Sequence, residues 1–260
     1  MTPVTLITGA SAGIGAELAR VFAGHGHDLV LVARREQRLN ELAAEIAAGG
    51  RPLPLVLAVD LAQPDAAARI GEALAARALE PQYIVNNAGF GLVGRAAELD
   101  RDEQLGMIDL NVRALTDLSL SSLDSLERHR GGILNVASVA GFLPGPGSAV
   151  YYAGKAFVLS FSEALHRELA PRGIRVTCLC PGPVASEFQA RAGIAEARPP
   201  WPLAVSAECV AEAGYRGLMR GQRVVVPGWA NRLLATLLPR FVPRAVLLAQ
   251  LDARQRKRHA

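Results

Sequence analysis

The chain has 260 residues, 50% of them hydrophobic, and a formal net charge of +4, enough length and apolar content for one sizeable core. Arg254, Arg256, Lys257 and Arg258 at the extreme C-terminus account for that excess, so the body lacks the basic stripe expected of a nucleic-acid binder. Cys178, Cys180 and Cys209 have neither metal-ligand spacing nor an even count; with an apolar strand beginning by Val4 instead of a secretory signal, they read as reduced residues of a cytoplasmic protein.

Val4–Thr8 predicts a buried strand, and Gly9-Ala-Ser-Ala-Gly13-Ile-Gly15 leads from it into a helical pattern through Leu18, Val21 and Phe22. Glycines there permit a tight turn, and the free N–H groups of a helix start suit a pyrophosphate. The same spacing also fits an ordinary strand–helix turn. Asp28–Ala33 predicts the second strand, ending at Arg34-Arg35. A dinucleotide site has an acidic side chain near this point for the ribose 2′-hydroxyl of NAD, and a basic one for the 2′-phosphate of NADP. Neither Ala33 nor Arg34 is acidic, so NADP(H) is expected over NAD(H), with Ser11 helping to hold the phosphate. The alternative is a solvated helix start, although arginine at a helix N-terminus opposes the dipole.

Residues 36–48 predict a helix stopped by Gly49-Gly50, and residues 53–59 a strand that delivers Asp60-Leu61. A helix at 64–78 and a short strand Tyr83–Asn86 follow, then Asn87-Ala88-Gly89, which suits either a turn or close approach to a ligand. The helix after Asp100 carries Asn111, a residue able to kink a helix and hold a water. Residues 132–137 predict the strand before Ser138. A Gly/Pro loop runs through Gly147, a helix spans about 149–170, and a strand at 173–180 ends at Pro181-Gly182-Pro183. Residues 184–204 are irregular and are the candidate substrate loop; Phe142 and Leu143 are expected near the same site. A helix at 206–219 and a strand at 222–227 complete the pattern. Seven strands alternating with helices predict a single-domain, Rossmann-like, doubly wound parallel sheet over residues 1–228, with helices on both faces.

Tyr151 and Lys155 lie four apart on the long helix and project from one face. A phenol titrates near ~10, and a fixed cation beside it is expected to lower that value toward the working range of a general acid–base. Ser138 stands where open parallel sheets hold ligands, at the C-terminal end of a strand. Tyr152 is one step out of register and is expected to point elsewhere. Lys155 is one of only two lysines among 28 basic residues; a compact ammonium can bond a ribose hydroxyl and tune a phenol in a way a planar guanidinium does less well.

Taken in order, Thr8-Gly9-Ala-Ser-Ala-Gly13-Ile-Gly15, Asp60-Leu61, Asn86-Asn87-Ala88-Gly89, Asn111, Ser138, Tyr151-x-x-x-Lys155 and Pro181-Gly182 resemble the short-chain dehydrogenase/reductase family over roughly residues 4–228. The resemblance implies a nicotinamide-dependent oxidoreductase that interconverts a carbonyl and a secondary alcohol, with Asn111, Ser138, Tyr151 and Lys155 as catalytic tetrad. Gly9, Ser11, Gly13, Ile14, Gly15, Arg34, Asp60, Leu61, Asn87, Ala88 and Gly89 would line the cofactor, together with Tyr151, Lys155, Pro181, Gly182 and Val184. Ser186 stands where family members often have threonine for the nicotinamide amide. Asn111 would hold a water that relays protons from Lys155. No metal is implied, the expected assembly is a homodimer or homotetramer, and the substrate is expected to be hydrophobic. A non-catalytic NADPH-binding regulator on the same fold is the alternative function.

Residues 229–260 lie beyond the sheet alternation and are dense in leucine, with Pro239 and Pro243 between two apolar stretches. They predict two short amphipathic helices broken at the prolines, too charged to span a membrane. Packing on the domain itself or on a partner subunit is favoured over peripheral membrane contact, because the apolar residues precede the terminal charge cluster instead of sharing its face.

Overall fold

The computed structural model describes residues 1–184, 192 and 203–259. Seven strands form one parallel sheet in the order β3-β2-β1-β4-β5-β6-β7: β1 Thr2–Thr8, β2 Leu29–Ala33, β3 Leu55–Ala58, β4 Leu79–Asn86, β5 Gly132–Val136, β6 Arg175–Leu179 and β7 Val224–Val225. The order reverses between β1 and β4, so the crevice for a ligand opens beyond the C-terminal ends of those two strands.

Strand residues alternate between two cores. Ile7, Leu31, Val85, Leu134 and Leu179 face α1 (Gly13–Gly24), α2 (Glu36–Ala48) and α8 (Ala207–Met219). Leu6, Val30, Val32, Ile84, Ile133 and Val176 face the opposite layer. That layer contains α3 (Ala66–Ala75), α5 (Leu115–Ser121), α6 (Leu123–Arg128) and α7 (Ala149–Leu169). Burial on both faces explains why β2 and β5 are apolar almost throughout, without strict alternation. Helix starts follow local chemistry: Asp100 accepts from the N–H of Glu103 to open α4 (Arg101–Ile108), and Ser206 accepts from the N–H of Cys209 to open α8.

Two local expectations need correction, and a third, a helix interrupted at Asn111, is met. β4 begins at Leu79, four residues before the apolar run, because Leu79–Pro81 pair with Thr2–Val4 ahead of a register shift; that pairing is tertiary and outweighs the poor strand propensity of Glu80-Pro81-Gln82. Asn111 lies in a π turn, Asp109–Ala114, between α4 and α5. In the tail, α9 (Trp229–Phe241) runs through Pro239, and the break before α10 (Arg244–His259) comes only at Val242-Pro243. Pro239 sits in the last turn, where losing one intrahelical bond costs less than in the middle of the helix.

Candidate active site

The ends of β1 and β4 are sewn together by side chains. Thr8 Oγ1 donates to Val85 O at 3.1 Å and accepts from the N–H groups of Asn87 and Ala88 at 2.9 and 3.0 Å. Asn87 Nδ2 donates back to Thr8 O and Gly9 O at 3.0 and 3.2 Å. This leaves no room for a side chain at Gly15, where a Cβ would lie 2.2 Å from Gly9 O, and Gly9 itself adopts φ +64°. Ala12, the N-cap of α1, offers no side-chain acceptor, so the first N–H groups of the helix face the crevice without an internal partner. At the end of β2, Arg34 and Arg35 border the same crevice, and Arg35 donates from Nε and Nη2 to Ser11 Oγ at 3.3 and 3.1 Å. Arg35, named second in the sequence argument, is thus the arginine joined to Ser11. Asp60 and Leu61 complete this end, with Asp60 Oδ1 accepting from the N–H of Ala62. Free backbone donors, a glycine cradle and two guanidinium groups are the donor set that a pyrophosphate and a ribose phosphate require.

Ser138, Tyr151 and Lys155 meet on one wall of the crevice. Ser138 caps the 3₁₀ turn Val139–Phe142 by accepting from the N–H of Ala140 at 3.1 Å, which fixes its rotamer beside the Tyr151 hydroxyl, its hydrogen-bond partner. Lys155 is buried; its Nζ donates to Val136 O at 2.8 Å and stands 5.9 Å from the Tyr151 ring centroid. The electrostatics run against the expectation that the lysine lowers the phenol. Burial pushes Tyr151 up to about 12, opposed only by the hydrogen bond with Ser138, while burial brings Lys155 down to about 8. Desolvation is the largest cause of both shifts.

Asn111 stands one layer behind this wall. It is buried, its Oδ1 accepts from the N–H of Phe90 at 3.1 Å, and its Nδ2 donates to Phe90 O at 2.8 Å. The side chain thus fastens the Gly89–Phe90 turn. Tyr152, expected to point away, also lines the crevice, with its ring filling the space a side chain on Gly145 would need. Leu143 lines the crevice, whereas Phe142 packs into the core with Leu115, Ala137 and Val158. Pro181, Gly182 and Val184 border the site; Ser186 and most of the candidate substrate loop lie outside the described residues. Cys178 and Cys180 are buried free thiols with their sulfurs 3.7 Å apart; Cys180 is held well above the ordinary thiol range by its hydrogen bond with Cys178 and by burial.

Beyond the residues named from the sequence, the crevice is lined by Leu92 in the loop after β4 and by residues of the tail. Asn231, Leu234 and Leu238 of α9 and Leu251 of α10 line the far end of the crevice. Asn231 is buried, donates from Nδ2 to Leu203 O and Pro227 O at 3.1 Å each, and occupies the space where a Cβ of Gly182 would stand. The only available sequence signal was the apolar i, i+4 pair Leu234 and Leu238, which equally well fits a subunit contact.

The short chain dehydrogenase family profile matches residues 3–197. Sulfoacetaldehyde reductase 2 of Chromohalobacter salexigens is 39% identical over 191 residues, covering 72% of this chain and 75% of that protein. A short-chain dehydrogenase of Sphingobium yanoikuyae solved in complex with NADPH superposes with a TM-score of 0.78 at 34% identity, covering 98% of this chain and 94% of the other. The bulky-bulky ketone specific alcohol dehydrogenase of Comamonas testosteroni gives 0.74 at 29% identity over 99% and 93% of the two chains. The chain belongs to the short-chain dehydrogenase/reductase family and is an oxidoreductase acting on the carbonyl–carbinol pair with a nicotinamide dinucleotide.

Proposed function

We propose that this enzyme is an NADP(H)-preferring reductase of bulky, apolar, uncharged ketones, interconverting them with secondary alcohols through Tyr151. The observation that carries this reading is one continuous crevice of about 850 Å³. It runs from Arg34 and Arg35, past Ser138, Tyr151 and Lys155, to an apolar end walled by Leu92, Leu143, Leu234 and Leu238. Among the described residues that line it, the cations are Arg34 and Arg35 at the cofactor end and Lys155 beneath the phenol. The apolar walls are what a bulky ketone needs, and the sulfonate that the Chromohalobacter enzyme's name indicates is the competing substrate in the test.

In this reading Gly9, Gly13, Ile14 and Gly15 receive the pyrophosphate at the start of α1. Arg34, Arg35 and Ser11 take the 2′-phosphate, Asp60 and Leu61 border the adenine, and Asn87, Ala88 and Gly89 support the ribose side. Pro181, Gly182, Val184 and Ser186 hold the nicotinamide end. When bound, the dinucleotide supplies or accepts the hydride. Ser138 orients the substrate oxygen, and the Tyr151 hydroxyl delivers a proton to it. A phenol held up to about 12 rests protonated, the form that reduction needs. Lys155, brought down to about 8, exchanges its proton near working pH and returns one to the phenolate. A π turn displaces main-chain carbonyls from the regular helical ladder, so a relay water is assigned to the backbone of Asn111.

The reading extends to two or four copies per assembly, with the exposed Leu105, Ile108 and Phe157 as apolar side chains that subunit contact would cover. The unpaired thiols of Cys178 and Cys180 suit a reducing cytoplasm, and residues 229–260 form an extension of the single catalytic domain. The test is turnover of a carbonyl panel containing sulfoacetaldehyde, short aldehydes and ketones with two bulky substituents, each with NADPH and with NADH. Highest kcat/KM for a bulky apolar ketone with NADPH is expected. Preference for sulfoacetaldehyde or equal use of the two cofactors overturns the respective half, and cofactor binding without turnover of any carbonyl favours the non-catalytic alternative.

A further inference from the structure

We propose that the outward face of α9 docks on an anionic phospholipid bilayer. The helix has two unlike sides. Ala230, Asn231, Leu234, Ala235 and Leu238 turn inward, buried or half-buried. Trp229, Leu233 and Leu237 follow one another at i, i+4 and i+8 and are 70%, 53% and 42% exposed. Phe241 closes the helix at 73% exposure. At about 100° per residue, Arg240 falls within the Trp229–Leu233–Leu237 face, and Arg232 lies along its edge; both are exposed. Indole and leucine side chains that enter the headgroup–acyl boundary, with guanidinium groups beside them at headgroup level, match an interfacial helix lying in the membrane plane.

Charge selects the occupant. Residues 229–260 carry seven basic side chains against one acidic side chain, Asp252, so this extension is strongly positive while the rest of the chain is slightly negative. Each basic group near an anionic surface strengthens attachment. A second copy is the competing occupant, but isologous pairing of α9 would bring the arginines of two helices into one contact with no acidic residue of α9 to balance them, at a repulsive cost. No helix among the described residues is long and apolar enough to cross a membrane, so the contact is peripheral. The terminal cluster Arg254, Arg256, Lys257 and Arg258 follows the apolar residues and does not share their face, but the helix carries basic residues of its own. On α9 Arg240 shares the face with Trp229, Leu233 and Leu237. α9 then has lipid on one side and the apolar end of the crevice on the other.

The test uses the full chain in a Trp201→Phe background, which leaves Trp229 as the only tryptophan, mixed with phosphatidylcholine vesicles with or without about one-third phosphatidylglycerol. Expected results are a blue shift of Trp229 emission and quenching by brominated lipid with the anionic vesicles only, both lost at high salt. Reversing Arg232 and Arg240 to Glu should weaken vesicle partitioning at least about tenfold while ketone turnover in solution is retained. Absence of binding to anionic vesicles at low salt overturns the proposal. Equal binding to neutral vesicles also overturns it. If Leu233→Ser with Leu237→Ser turns a dimer into a monomer and the wild type leaves vesicles untouched, the occupant is a second copy. The vesicle and oligomer readouts require no turnover, so the proposed reductase chemistry stands or falls separately.

Discussion

The two ends of the crevice are built on different principles. The cofactor end is made mostly of backbone, with a glycine turn, the start of α1 and strand ends sewn together by Thr8 and Asn87, and the two arginines at its rim. Its shape depends on the absence of side chains, as the collision a Cβ on Gly15 would suffer shows. The substrate end is made of side chains brought in from afar, with Leu92 from the loop after β4, Leu143 after β5 and Leu234 and Leu238 from the tail. A backbone-built site tolerates little change and serves one ligand; a wall of separate side chains can alter its selectivity one residue at a time. Ser138, Tyr151 and Lys155 stand where the two meet.

The largest effect should come from that meeting point. Tyr151→Phe is expected to lower kcat by about two to four orders of magnitude, the range for a lost general acid–base, with NADPH affinity kept and Tyr152→Phe mild. Steady-state turnover and fluorescence titration of NADPH measure the two quantities. Near-normal turnover would remove Tyr151 from the chemistry.

At the cofactor end, replacing Arg34 and Arg35 together by Ala should weaken NADPH binding by about ten- to a hundredfold, as expected for losing charge-assisted hydrogen bonds to a phosphate, and leave NADH nearly unchanged. Because Arg35 reaches Ser11 directly, Arg35→Ala alone is expected to cost more than Arg34→Ala. Dissociation constants for both cofactors decide it, and equal losses for NADPH and NADH would mean that the arginines do not read the 2′-phosphate.

At the substrate end, Asn231→Leu keeps a similar volume but removes the bonds to Leu203 O and Pro227 O. KM for bulky ketones should rise by about three- to tenfold with a smaller change in kcat, since one or two buried hydrogen bonds are lost away from the reacting atoms. A loss confined to kcat would place Asn231 closer to the chemistry than the geometry does.

The smallest effect concerns pH. Burial brings Lys155 down to about 8, so kcat/KM is expected to bend near pH 8, well below the ordinary lysine value of 10.5. For stability the sign follows from proton counting: between about 8 and 10.5 the unfolded chain binds the extra proton, so this residue makes folding more favourable as pH rises through that window. Below about 8 the full cost of burying the cation is present. Lys155→Met should flatten that part of the thermal-stability profile, which calorimetry across the window would show.

Much of this is legible in the sequence. Strand–glycine–helix succession, the stop at Gly49-Gly50, the helix at 36–48 and the alternation of seven strands are local patterns, set by φ/ψ preference and apolar periodicity over a few residues. The placement of Gly9, Gly15, Ser138, Tyr151 and Lys155 around one crevice follows from that succession, because parallel topology brings their strand ends together. Other features depend on what packs against what. The early start of β4 needed its partner strand, and the Tyr151 and Lys155 values turn on burial, which the pair spacing in the sequence does not display. The sequence of α9 displays apolar residues on two sides, and only the packed molecule separates Leu234 and Leu238 at the crevice from Trp229, Leu233 and Leu237 at the surface. Residue order determined the chemistry available at the strand ends; tertiary packing decided the solvent, charge and neighbours in which that chemistry operates, because desolvation and long-range contact arise only when distant segments meet.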